Sequence, residues 1–201
     1  MTKSSDMSQY KAGSLFEAPR SDQFHEQMAC IGTNGGPYEF DAFAFGYFDA
    51  ARRLRDSIDA DDTLIDVLLY PMAFLYRQGL ELSIKHLIYF LSEFYGGGGP
   101  KLRHGLLDNW RTARDLLETH ATHNPYGELN ASQLDGIELL ITDFDGFDPN
   151  SFVFRYPESK SREVYIQGFS RIDVAKLNSI METAVDWFDS VLIGTREDMI
   201  V

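Results

Sequence analysis

The sequence predicts an all-α fold, a helical bundle, and three observations lead there. Apolar residues recur at the spacing of one helical face in four separate stretches. A further stretch, residues 70–91, is apolar nearly all round, as the central helix of a bundle must be. Only residues 151–168, in "SFVFRYP" and "REVYIQGF", alternate in a way that predicts a short, irregular β-hairpin.

Each element follows from its residues. Residues 1–36 are polar at the start and read as an arm, partly helical from about Ser21. From Pro37, the positions Phe40, Phe43, Ala44, Tyr47, Phe48, Ala51 and Leu54 form one stripe, predicting a helix over 38–56. A second helix starts at Thr63 and runs to about Tyr95. Pro71 lies inside it, lacks a backbone donor, and predicts a kink or restart. "GGGGP" at 96–100 ends it, and without a following Gly-Lys-Ser/Thr it is a turn rather than a phosphate loop.

Leu106, Trp110, Ala113 and Leu117 define a third helix; Leu134, Ile137, Leu140, Ile141 and Phe144 define a fourth over 131–144. Asp173 is placed to cap the last helix, whose core stripe is Val174, Leu177, Ile180, Met181, Ala184, Phe188, Val191 and Leu192. Gly194 is its expected stop, so the bundle is expected over 37–194 with a tail at 195–201.

Composition narrows the function. The chain has 201 residues, 44% hydrophobic and 13% aromatic, enough for one domain with a substantial core. The single cysteine, Cys30, forms no intrachain disulfide, which fits a reducing compartment such as the cytoplasm. No secretory signal and no membrane span are expected. A net charge of −13 opposes broad binding to a phosphate backbone, so DNA binding is not indicated.

The central helix poses a problem of its own. "YPMAFLYRQGLELSIKHLIYFL" carries Arg77, Glu81 and Lys85 at four-residue intervals, in the same sector as Tyr70, Phe74, Ile84 and Ile88. The charges therefore have no solvent face of their own, and part of the ladder is expected to be buried. Glu81 can neutralise both cations through i, i+4 contacts. The ladder is then either a structural ion-pair network or a polar site facing a cleft or partner.

The same stretch, followed by "HGLLDNW" and "FRYP", resembles the HEPN superfamily, in its prokaryotic branch with a Tyr-Pro, Leu-x-Arg, Glu-Leu-x-x-Lys helix and a His-x-Leu-x-x-x-Trp helix. The similarity is densest over 70–117, extends loosely to about 193, and leaves residues 1–36 unexplained. It implies an all-α bundle, often a homodimer, in prokaryotic antiviral defence or toxin–antitoxin systems. Many members are metal-independent ribonucleases with an Arg, four to six residues, then His, two copies meeting at a dimer interface. Others have lost the motif and are interaction modules.

"RDLLETH" meets that spacing through Arg114 and His120, with polar Asp115 after the arginine, and "RSDQFH" meets it through Arg20 and His25. With twelve arginines and five histidines, roughly one match is expected by chance. Arg114 and His120 sit on the better helix and are the catalytic candidates. The histidine would move the ribose 2′-OH proton, and the arginine would stabilise the phosphorane-like transition state, with no metal or other cofactor. As ordinary residues they are solvent-facing groups at a helix C-terminus. His104 either caps its helix or meets the ladder. Arg155, between aromatics, either stacks or pairs with Glu81 or another carboxylate.

No metal site is expected. "DFDGFD" at 143–148 has Phe154 where a calcium loop needs a bidentate Glu, and "HATH" offers His120 and His123 with no third ligand. Three functions follow. One is a HEPN-like ribonuclease of a defence or toxin–antitoxin system acting on RNA through Arg114 and His120. The second is a noncatalytic interaction or regulatory subunit of a larger complex, contacting a partner through its acidic surface and the aromatic helix 38–56. The third is a ligand sensor whose cavity is lined by Arg77, Lys85, His104 and Arg155.

Overall fold

In the computed structural model, residues 39–95, 102–103, 105–120, 130–168 and 171–197 are described, with side chains to 193. The arm at 1–36 with Arg20, His25 and Cys30, the glycine run at 96–100, His104 and His123 lie outside the described residues. Five helices carry the chain: α1 Phe40–Ala60, α2 Ile65–Phe94, α3 Leu106–His120, α4 Ala131–Phe147 and α5 Val174–Glu197. The described residues form no strand, and the fold class is all-α.

α1 and α2 are joined by a single 3₁₀ turn, Asp62–Leu64, and so lie antiparallel. Asp61 starts the turn by accepting from the Thr63 amide at 3.0 Å and from its hydroxyl at 2.6 Å, and these bonds hold its carboxyl below the usual range. Ring contacts confirm the direction, Phe40 stacking on Tyr89 at 5.5 Å and Phe48 meeting Tyr76 at 6.5 Å. The close approach of the two helices depends on Gly79, since a Cβ there would lie 2.6 Å from the Phe48 ring. Gly79→Ala gains about 1 kcal/mol of helix propensity but must push an aromatic ring off its packing. A net loss of about 1–2 kcal/mol is expected in urea unfolding, and Phe48→Leu in the same chain should restore part of it.

α2 is the central element, in contact with α1, α3 and α5. Its buried side chains, among them Met72, Tyr76, Leu80, Ile84, His86, Leu87 and Leu91, surround the helix, as the sequence predicted. Of the kink or restart expected at Pro71, the restart does not occur: α2 is one continuous helix through it. Proline leaves the Val67 carbonyl without its helical donor, but Val67 is 66% exposed and Pro71 is exposed, so the lost bond falls where solvent has access and the helix tolerates it.

Leu106, Trp110, Ala113 and Leu117 are all buried on α3, and Leu134, Ile137, Ile141 and Phe144 on α4, in agreement with their stripes. Trp110 meets Trp187 and Phe188 of α5 edge-on, which ties α3 to the last helix. Asp173 caps α5 as predicted, its carboxylate accepting from the Lys176 amide at 2.9 Å.

Four further expectations change. Phe43 and Ile180 fall outside the core, at 52% and 40% exposed, because each lies at the margin of a stripe that packing on one neighbour leaves open. α5 does not stop at Gly194 but continues to Glu197, since glycine disfavours a helix interior by only about 1 kcal/mol and ends a helix only where the chain turns left-handed. The hairpin at 151–168 shrinks to one antiparallel bridge, Glu158 with Val164. Its turn runs through Arg162 at φ 64°, closed by the Ser159 amide donating to the Glu163 carbonyl at 2.9 Å. With its outer residues exposed, no neighbouring strand extends it.

Candidate functional site

The charge ladder begins from a buried arginine. Arg77 is 1% exposed, and its Nη1 lies 3.3 Å from a Glu81 oxygen, while Lys85 Nζ donates to the other Glu81 oxygen at 2.6 Å. Glu81 therefore neutralises both cations, as its spacing predicted. The fourth member was not legible as one: Arg77 Nε donates to the Asp148 carbonyl at 3.0 Å and lies 3.9 Å from its carboxylate. Asp148 is 0% exposed and caps the end of α4. Its Oδ1 accepts from the Phe152 and Val153 amides at 2.7 and 3.0 Å, which turns the chain back across α2. The polar-turn sequence "DPNS" after α4 was the available signal. The network ties α2 to the end of α4, with Arg77 and Asp148 sealed from solvent.

Arg155 lies apart from it. Its guanidinium sits 5.0 Å from the Phe152 ring centre, 5.5 Å from Tyr156 and 5.6 Å from Phe74, and its Nε donates to the Ser151 carbonyl. Stacking between aromatics is thus its role, and no Glu81 pair forms. It lines an open groove of about 530 Å³ with Tyr70, Phe154, Pro157 and Ile166, whose walls include neither Arg77 nor Lys85. Of the four residues expected to line one cavity, Arg77, Lys85, His104 and Arg155, this groove includes Arg155 alone, and His104 lies outside the described residues.

Arg114 is engaged on three sides. Nε donates to Glu118 at 2.7 Å, Nη2 to Asp135 at 2.8 Å and Nη1 to Glu138 at 2.6 Å. These three bonds, Glu118 first, raise its already high pKa. Trp110 Nε1 also points at Glu138, at 3.4 Å. Asp135 and Glu138 are three residues apart, so both face α3 from α4. His120 instead stacks on Tyr95 at the end of α2, with centroids 4.3 Å apart and planes 12° apart. Six helical residues separate the pair by about 120° of rotation and about 9 Å of rise. Within one chain, the guanidinium serves the α3–α4 seam and the imidazole the end of α2.

A second polar centre lies where α1 begins. Ligand atoms of Glu39, Asp41 and His86 all fall within 4.8 Å of one another, with His86 buried, Asp41 half-buried and Glu39 exposed. A cavity of about 130 Å³ opens beside them, bordered by Asp41, Ser83, His86, Phe188, Asp186 and Asp189. Burial and then the neighbouring Asp186 push the Asp189 carboxyl above its usual range. Arg52, on the same wall, is bonded to Glu182 of α5, both Nε contacts being 2.9 Å. Sequence reading passed over this group because its members lie 45 residues apart, from Asp41 to His86.

No family model matches the chain, and neither curated proteins nor solved structures provide a match. Among the described residues, no helix is long and apolar enough to cross a membrane.

Proposed function

We propose that this chain is a HEPN-like helical protein of a prokaryotic defence or toxin–antitoxin system, acting in the cytoplasm as a noncatalytic interaction or regulatory subunit, in a homodimer or a larger complex. The observation that carries the noncatalytic reading is the triple engagement of Arg114 by Glu118, Asp135 and Glu138. A phosphate would have to displace those carboxylates and approach a site where they outnumber the cation. A catalytic arginine needs free donors aimed at the transition state.

The contact surface is α1. Phe45 remains 67% exposed. Asp41, Phe45 and Asp49 recur every fourth residue and so share a face, apolar at its centre and acidic at its edges. Together with a net charge of −13, that face suits a partner with a basic, apolar surface.

The test combines growth, RNA integrity and copurification. The wild type and an Arg114→Ala/His120→Ala double variant are expected to leave cellular RNA intact and to retain one basic partner at fixed stoichiometry. Phe45→Ser should lose the partner while remaining folded. RNA fragments produced by the wild type and abolished in the folded double variant would reverse the conclusion in favour of a metal-independent endoribonuclease acting on RNA.

A further inference from the structure

We infer that Glu39, Asp41 and His86 form a binding site for a first-row divalent metal ion at the N-terminal end of the α1–α2 pair. The helix register builds it. Phe48 and Gly79 touch, and in an antiparallel pair a step of seven residues, about two turns, toward the start of α1 matches the same step toward the end of α2. Phe48 then leads to Asp41 and Gly79 to His86. The intermediate positions are Ala44 and Ser83, both buried and both small, which leave the adjoining cavity of about 130 Å³ open. The histidine thus faces the first turn of α1 by virtue of the packing that Gly79 permits, independently of any partner contact.

The donor set selects the ion. One imidazole nitrogen and two carboxylate oxygens, all within 4.8 Å, suit ions that accept mixed nitrogen and oxygen ligands, such as Mn²⁺, Fe²⁺, Co²⁺ and Zn²⁺. Mg²⁺ and Ca²⁺ prefer oxygen alone, and the described residues place no thiolate there to favour softer ions. Two carboxylates balance the charge of a divalent ion, while the adjoining cavity has room for water. Binding requires a neutral imidazole, so any proton that His86 carries is released to solvent.

The experiment uses the full chain stripped with a chelator and titrated with Co²⁺ or Zn²⁺ alone. One equivalent per chain is expected, with a Co²⁺ visible spectrum characteristic of nitrogen and oxygen ligands, resistant to excess Mg²⁺. Glu39→Gln/Asp41→Asn changes two residues outside the core and should weaken binding by at least about tenfold. His86→Asn should remove the Co²⁺ spectrum, and the carboxylate pair keeps the test decisive if that variant does not fold. Failure to bind one equivalent, equal affinity in the Glu39→Gln/Asp41→Asn variant, or displacement by Mg²⁺ would overturn the site and leave the three residues as an ordinary ion-pair group.

Discussion

Arg77→Met is expected to destabilise the fold by about 3–5 kcal/mol, the range for removing one partner of a buried ion pair. Methionine fills much of the volume and supplies no donor. The Asp148 carbonyl then loses its 3.0 Å bond, and its carboxylate, 0% exposed, loses the only cation that the described residues place near it. Desolvation is thereby left uncompensated. Glu81 keeps Lys85 and sits closer to solvent, so it contributes less to the loss. Urea unfolding should show a lower midpoint with an unchanged slope. Adding Asp148→Asn should recover part of the deficit, because the neutral amide retains an oxygen for the Phe152 and Val153 amides. A double variant no more stable than Arg77→Met alone would show that the loss comes from the carbonyl contact and packing.

A loss of similar size, about 3–5 kcal/mol, is expected for Trp110→Ala, from lost transfer energy and the cavity left behind. Trp110 is 0% exposed and joins three elements: it sits on α3, meets Trp187 and Phe188 of α5, and directs its indole N–H toward Glu138 of α4. Trp110→Phe should be much milder, since it keeps an aromatic in the cluster and gives up only the long 3.4 Å contact. Both variants can be followed by the near-ultraviolet circular dichroism of the remaining Trp187. An alanine variant within about 1 kcal/mol of wild type would mean that the α3–α5 seam collapses to close the space.

Much of the fold was legible because amphipathic periodicity records burial directly. The stripes of α3 and α4 were read almost residue for residue, and the all-round apolar character of 70–91 announced the central helix. The errors share a cause. Phe43, Ile180 and Val185 lie at stripe edges, where burial depends on which neighbour packs there; the first two are exposed and the unread Val185 is buried. Pro71 was read as a kink or restart because sequence shows the missing donor but not that the position is open to solvent.

The polar groups divide in the same way. Local spacing by itself determined the Arg77–Glu81–Lys85 ladder, because i, i+4 neighbours meet on any helix. Only the tertiary structure decided that Asp148 completes it, that Asp135 and Glu138 join Glu118 around Arg114, and that Asp41 faces His86. Those contacts cross between helices, and their partners are set by interhelical register and distance. Here a glycine too small to hold Phe48 away from α2 supplies both for α1 and α2, and single-helix periodicity contains neither.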